Sequence, residues 1–330
     1  MKKNLLVITA MSVMGLAYSG AAMADLKQYS VDNSSGYHCG FKDKAGKVVV
    51  PANKYEACGE FVDGLAYVGH IVKPNVMYEG GGYKHVQGFI DKTGKLVIPV
   101  KYDVADGMEG GDYKSFSEGL VLTYKNGLYG YMNKQQKLVI PHKYEHALDF
   151  HDGVAVVLDD GLYGVIDKAG KVVVPIKHSF IGSFSSGLAP LGVDKGEGIN
   201  QYGYINKKGA VVIKPTWSEA YSFSEGLATV KLDSSNSSKW GVIDTKGNYV
   251  VKPKHDDVII QSESDEFDFN DGHYINGKLF VYDYVNPKKR FESKIIRTTL
   301  DKTGKSVATK TYNNWGAVIT EFANANKNRR

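Results

Sequence analysis

The chain has little of what most functional assignments rest on. Two cysteines, Cys39 and Cys58, stand in 330 residues, and their separation excludes the C-x-x-C pair of a thiol redox centre. No G-x-S-x-G elbow is present, and the scattered serines have no recognisable base beside them. Gly304-Lys305-Ser306 imitates the end of a P-loop, but Thr299 stands where the first glycine belongs, and the segment reads as a hairpin turn. His142, His146 and His151 have no cysteine nearby and no helical spacing, which makes them surface histidines rather than zinc ligands. In the acidic cluster Asp265, Glu266, Asp268 and Asp271, the place of an EF-hand glycine is taken by Asp271, so a solvated loop facing Lys288, Lys289 and Arg290 is expected. Asn33-Ser34-Ser35 and Asn236-Ser237-Ser238 match glycan acceptors by chance. No catalytic residue, metal or cofactor is expected.

Long apolar runs are also missing beyond the first two dozen residues, and a membrane span takes about 20. At the start, Lys2 and Lys3 precede a mostly apolar stretch from Leu5 to Ala17, and Ala22-Met23-Ala24 has the form of a cleavage site. The expectation is a signal peptide over 1–24, cleaved after Ala24, and a mature periplasmic or secreted chain from Asp25. No cysteine follows the site to carry a lipid. Losing Lys2 and Lys3 lowers the formal charge from +5 to +3, which favours neither nucleic acid nor a strongly acidic partner. The tail with Lys327, Arg329 and Arg330 reads as a frayed basic end. In an oxidising compartment Cys39 and Cys58 are expected to pair rather than stay free. Closing a loop of about 19 residues contributes about 3 kcal/mol in the chain-entropy account. It does so in the first repeat, which no preceding neighbour covers.

What the chain does have is self-similarity. The run from Gly88 through Asp91-Lys92-Thr93-Gly94 to Pro99 returns from Gly164 through Asp167-Lys168-Ala169-Gly170 to Pro175. Variants begin at Gly40, Gly130, Gly203 and Gly241, unequally spaced. Each copy but the last is followed by a second signature, as in Phe61-Val62-Asp63-Gly64-Leu65-Ala66 and Phe223-Ser224-Glu225-Gly226-Leu227-Ala228. The first motif predicts a turn opened by Asp and closed by a left-handed glycine, a place held by Gly46, Gly94, Gly170, Gly209, Gly247 and Gly304. Gln136 departs from it, which predicts a different or strained turn in the third copy.

β-branched and aromatic residues on both sides of the turn predict a hairpin, ended by a proline such as Pro175. The Gly-Leu-Ala segment supplies a third strand, and a weak fourth follows Lys101-Tyr102 and Lys143-Tyr144. Val172 and Val174 on one side, with Val173 on the other, mean that neighbours cover both faces of each unit. The glycine before each Ile-Asp sits where a side chain would crowd adjacent backbone.

Trp240-Gly241-Val242-Ile243-Asp244-Thr245-Lys246-Gly247, together with the Phe-Ser-Glu-Gly-Leu-Ala signature, resembles the WG (or KWG) repeat over Tyr37 to Lys254. In most copies another residue replaces the signature Trp, a usual variation. The resemblance implies a bacterial repeat protein of largely unassigned role with no shared catalytic residues. The fold expected is all-β, with tandem antiparallel hairpins stacked as propeller-like blades or an open β-solenoid. Repeats fill 25–255, and 256–330 forms a divergent last repeat and cap with a basic tail. There Leu300-Asp301-Lys302-Thr303-Gly304-Lys305 keeps the turn, and Trp315-Gly316-Ala317-Val318-Ile319 is read as a strand.

Turns within the hairpins are constant in length, whereas connections on the opposite edge vary, and variable loops on a rigid scaffold carry binding residues. Two glycine-rich insertions share Met, Glu and Tyr: Met77, Tyr78, Glu79 and Tyr83 in one, Met108, Glu109 and Tyr113 in the other. They are expected to line one contact surface. The function expected is non-enzymatic binding or scaffolding in the cell envelope, with a protein partner. Alternatives are an immunity protein against an exported toxin, and a glycan or peptidoglycan reader that uses tyrosines as stacking platforms. Neither a nucleic-acid partner nor a membrane span is expected.

Overall fold

A computed structural model describes residues 26–33, 36–72, 84–104, 113–194, 200–235, 238–259, 276–287, 293–318 and 320–321. The signal peptide expected over 1–24 and the acidic cluster near Asp265 lie outside these residues. The described residues form seven small antiparallel sheets. The first holds β1 (Lys27–Asn33), β2 (Gly36–Lys42) and β3 (Val48–Tyr55), and the second β4 (Ala57–Cys58), β5 (Leu65–Val72), β6 (Lys84–Asp91) and β7 (Leu96–Asp103). The third has β8 (Leu120–Lys125), β9 (Leu128–Asn133) and β10 (Leu138–Tyr144). The fourth has β11 (His146–Ala147), β12 (Val154–Asp159), β13 (Leu162–Asp167) and β14 (Val172–His178). The fifth has β15 (Phe180–Ile181), β16 (Leu188–Asp194), β17 (Asn200–Asn206) and β18 (Val211–Trp217). In the sixth stand β19 (Glu219–Ala220), β20 (Leu227–Lys231), β21 (Trp240–Asp244) and β22 (Tyr249–His255). The seventh contains β23 (Asp257–Ile259), β24 (Lys278–Tyr284), β25 (Ile295–Asp301) and β26 (Ser306–Tyr312).

The hairpin turn is uniform because its hydrogen bonds are local. In Asp91–Gly94 the glycine N–H donates to the Asp91 carbonyl at 2.9 Å, and Asp91 Oδ1 accepts from the N–H groups of Thr93 and Lys95. The closing glycines all have positive φ, from 77° at Gly304 to 83° at Gly247. Gln136 adopts the same bend at φ 62°, with its N–H on the Asn133 carbonyl. The third turn is therefore strained rather than different. The Phe-x-x-Gly-Leu signature is a second turn, in which Asp63 (φ 53°) and Gly64 (φ 82°) are both left-handed, the two-residue form that matches strand twist.

Sequence repeat and sheet are out of phase. Leu65–Val72, from the end of one copy, pairs with Lys84–Asp91, from the next. The expected third strand of each copy thus joins the following sheet, because the second signature leads away from its own hairpin. Nor does proline end the strand. Pro99 lies inside β7, in a bulge where the register against β6 shifts between Gln87 and Phe89. A Cβ on Gly88 would lie 2.5 Å from the Ile98 carbonyl oxygen, so the glycine makes room for the bulged backbone. The weak fourth strand is two residues long after Tyr144 (β11) and has no counterpart among the described residues after Tyr102.

Every core cluster but the last is shared by two successive sheets, and the last lies between the seventh sheet and the residues that follow it. Leu120, Tyr131 and Ile140 of the third sheet pack on Ala155, Val157 and Ile166 of the fourth, and Val154, Val165 and Val174 of the fourth on Ala189, Leu191 and Ile205 of the fifth. Within the edge strand only Val174 is fully buried; Val172, beside the turn, is 42% exposed, so the expected pairing of the two on one covered face is corrected. Burying one such side chain contributes about 1.5–3 kcal/mol. Carboxylates set the spacing. Gly119 N–H donates to Asp63 Oδ2 (2.7 Å), Gly153 to Glu118 Oε2 (3.0 Å) and Gly187 to Asp152 Oδ2 (2.6 Å), each bond linking one signature turn to the next sheet's. Cys39 in β2 and Cys58 in β4 form a disulfide that ties the first sheet to the second.

The two ends differ from the middle. In the second sheet the pair facing the preceding sheet is Ala66 and Ile90; in the fourth it is Ala155 and Ile166, and in the fifth Ala189 and Ile205. The first sheet has Lys27 opposite Lys42 there. On the far side of the seventh sheet, residues 315–318 are helical, correcting the strand expected at Trp315–Ile319. Asn314 Oδ1 accepts from Ala317 N–H as a helix cap, Trp315 Nε1 donates to Tyr284 OH at 2.9 Å, and Val318 is buried. Among the described residues no core cluster joins the first sheet to the seventh.

Two outcomes test this account. Gln136→Gly relieves a left-handed side-chain residue and raises stability by up to about 1 kcal/mol, whereas Gly170→Ala, in the same place one repeat on, lowers it by about 1–2 kcal/mol. Urea unfolding of both variants measures the difference, and equal effects would refute it. Acid provides the second. Burial raises the Asp91 carboxyl, but the Thr93 hydroxyl and N–H, the Lys95 N–H and the Lys95 charge outweigh it and hold its pKa below the ordinary 3.8. Asp301, held first by the Thr303 hydroxyl, is also lowered. The stability these groups give is complete above pH 3.8 and lost as pH falls through their folded values. Asp91→Asn with Asp301→Asn, which keeps the bend as Asn133 does, flattens the dependence of the unfolding midpoint on pH below 3.8.

Candidate interaction edge

The sheets give the stack two unlike edges. Both turn types lie on one. The β5–β6 connection, the end of β7 and their counterparts lie on the other, where the loops vary in length. There the structure brings together the roots of both insertions. Val72 and Lys84, which flank the first, are paired, and Val86 pairs with Asp103, which precedes the second. Met77, Tyr78, Glu79, Tyr83, Met108 and Glu109 lie outside the described residues.

Tyr113 is described, and it is an anchor. Its ring stacks on Tyr67 (5.4 Å, 9°) and meets His85 edge-on, and its hydroxyl lies 3.1 Å from His85 Nδ1. A Cβ on Gly69 would lie 2.2 Å from the ring, so this glycine is the floor of the site. Burial, then the Glu56 carboxylate, then Tyr67 push the Tyr113 hydroxyl far above its usual range, and it stays protonated. Glu56 itself is 2.8 Å from His70 Nδ1. Lys114 N–H next donates to the Gln87 side chain (2.9 Å), and Phe116 packs edge-on against Phe89 (4.8 Å). The second insertion therefore returns onto the second sheet beside the roots of the first.

Sequence reasoning missed an aromatic ladder farther along this edge. Tyr129 meets Tyr124 and His146, Phe180 lies between Tyr163 and Tyr202, and Trp240 stacks on Tyr221 at 5.3 Å. The signal was available, because Tyr129, Tyr163, Tyr202 and Trp240 all precede the repeat glycine. In the first two copies that place is held by Cys39, which is in the disulfide, and by Gln87, which holds Lys114. Other tyrosines are core. Tyr131 and Tyr204 are buried and donate to the Leu148 and Tyr221 carbonyls of the following sheet.

The histidines do not converge. His142 Nε2 lies 3.0 Å from the Thr123 hydroxyl, and burial, then Lys125, lower its pKa; His146 faces Tyr129; His151 is in a turn. Among the described residues no group of three or more His, Cys, Asp or Glu side chains is placed to hold a metal, and no helix is long and apolar enough to cross a membrane. Gly304-Lys305-Ser306 is the β25–β26 hairpin turn.

This geometry defines an all-β repeat protein with propeller-like blades, one edge uniform and the other varied. The chain belongs to the WG repeat family: the WG containing repeat matches residues 40–69, 88–129, 129–163, 163–194, 202–234 and 240–275, more than half of the chain. Similar solved structures have β-propeller folds. A eukaryotic initiation factor superposes with a TM-score of 0.54 at 11% identity, over 87% of this chain and 74% of that one. Kluyveromyces lactis Hsv2 gives 0.42 at 10% over 84% and 91%, and the Pyrococcus horikoshii acylaminoacyl peptidase 0.38 at 12% over 90% and 46%. At these identities the likeness concerns the fold alone. No curated protein matches the chain.

Gly69→Ala provides a local test. The added methyl displaces Tyr113, so limited proteolysis cuts the second insertion at least several-fold faster while the unfolding midpoint of the rest changes little. An unchanged cleavage rate would show that Tyr113 does not anchor the loop.

Proposed function

We propose that the protein is a non-enzymatic binding or scaffolding protein of the bacterial cell envelope, periplasmic or secreted, that recognises a protein partner through its varied edge. The observation that carries this reading is the convergence of the two insertion roots on one sheet, with Tyr113 fixing the return of the second. Loops held on a rigid sheet lose less freedom on binding than free ones, which favours affinity. The Cys39–Cys58 disulfide fits an oxidising compartment. A glycan reading is favoured by one separate observation, the half-buried ladder of Tyr124, Tyr163 and Tyr202, whose rings suit stacking on sugars.

Replacing residues 77–83 and 108–112 with short Gly-Ser linkers abolishes capture of the protein recovered by the intact chain from envelope extracts, with the unfolding midpoint retained. Capture that survives the replacement excludes the insertions as the contact surface. Retention on purified cell wall, lost on Tyr163→Ala and unaffected by the linkers, would transfer the assignment to the glycan reading.

A further inference from the structure

Charge in this protein is sorted by strand. β3, β7, β10, β14, β18, β22 and β26 are the last strands of their sheets and, among the described residues, form an outer edge on each. Every one contains at least one lysine, and the only carboxylate among them is Asp103, at the end of β7. Lys47, Lys95, Lys137, Lys171 and Lys305 precede these strands directly and are exposed. A second exposed row, Lys54, Lys101, Lys143 and Lys177, follows the bulge. In three of these the ammonium group lies over the adjoining tyrosine ring, at 4.9 Å for Lys143 and Tyr144 and 5.4 Å for both Lys54 and Lys101.

Among the described residues no lysine in either row is in an ion pair, whereas Lys168, Lys231, Lys239 and Lys302, elsewhere in the fold, are each paired with a carboxylate. Because the strands correspond position by position, the two rows run together across the first four sheets, with successive sheets about 10 Å apart. Exposed aliphatic residues such as Leu96, Leu138 and Val172 lie beside them.

We propose that these edge strands form a track for a linear polyanion that carries one phosphate on each unit. Lysine and proline on an edge strand also prevent edge-to-edge pairing, but one charge per strand suffices for that. Two rows held in register across several sheets exceed it. Successive blades of a propeller face different directions, so a planar membrane reaches only a few edges at once, while a flexible chain follows the four that carry both rows. The second row reaches the strand ends that border the varied edge, but neither row contains a residue on which the function proposed there rests.

Long-chain inorganic polyphosphate is the probe, with tripolyphosphate and phosphatidylglycerol vesicles in parallel. The intact chain is expected to bind the long polymer at least tenfold more tightly than tripolyphosphate, with affinity falling steeply as salt rises, as counterion release requires. Lys47→Gln, Lys95→Gln, Lys137→Gln and Lys171→Gln together weaken binding at least tenfold. Uncharged Ala210 and Asn248 hold the same position in the fifth and sixth sheets, so this variant is expected to fold, which its unfolding midpoint checks. An equal loss of charge at Lys125, Lys208, Lys246 and Lys278 leaves binding within twofold. No binding at low salt, equal weakening by both sets, or binding to vesicles without binding to the polymer would each overturn the proposal.

Discussion

The structure depends on the offset between repeat and sheet. A WG repeat here cannot complete its own sheet, because its second half pairs with the hairpin of the next copy. Every sheet is therefore joined to the next by chain continuity as well as by contact. The apolar layers supply most of the favourable energy. Val157, Val165, Ile166 and Val174 are fully buried between sheets, and each such side chain contributes about 1.5–3 kcal/mol, against about 0.5–1.5 kcal/mol for one hydrogen bond. The carboxylate-to-glycine bonds between signature turns are therefore secondary in energy. Their role is positional, since a bond of 2.6–3.0 Å fixes how closely two turns approach. Ser186 is too short to continue this series. Between the fifth and sixth sheets the Ser222 hydroxyl instead donates to the Ser183 carbonyl at 2.9 Å.

Much of this was legible in the sequence because the physics of the turn is local. The Asp91 carbonyl accepts from Gly94 N–H and the Asp91 N–H donates to the Lys95 carbonyl, all within five residues, so the motif announces its structure wherever it occurs. The place of Gly88 could be read for a similar reason. What could not be read was where each strand goes next. Pairing partners depend on which segment lies alongside, and nothing within Phe61–Ala66 states that it belongs with Gly88 rather than Gly40. Pro175 misled because proline is compatible both with a strand end and with a bulge on an edge strand. Trp315–Ile319 misled because a short apolar run has no period, and Asn314 as a cap decided in favour of helix.

Tyr113 shows how a site is only partly legible. Sequence alone grouped it with Met108 and Glu109 as a contact residue. The structure places its ring against Tyr67 and over Gly69, with its hydroxyl beside His85. It anchors the chain where the second insertion returns to the sheet. The ladder of Tyr129, Tyr163, Tyr202 and Trp240 was present in the sequence as the residue before each glycine. Its meaning required knowing that this position opens onto the varied edge.

The outward faces of the first and seventh sheets differ from the faces that pack between sheets. If Lys27 and Lys42 were Ala and Ile, as at Ala66 and Ile90, the first sheet would present the apolar layer that elsewhere recruits another sheet. Two ammonium groups side by side on that face make burial costly, because desolvating them without a carboxylate exceeds what the remaining contacts return. The last sheet solves the same problem differently: Tyr282 and Tyr312 are apolar enough to need cover, and the helix with Trp315 and Val318 supplies it, held by Glu321 on Arg297 and Lys310. Both solutions act against self-association through the terminal faces. The long edges of the sheets and the loops between strands are then the surfaces left for other molecules.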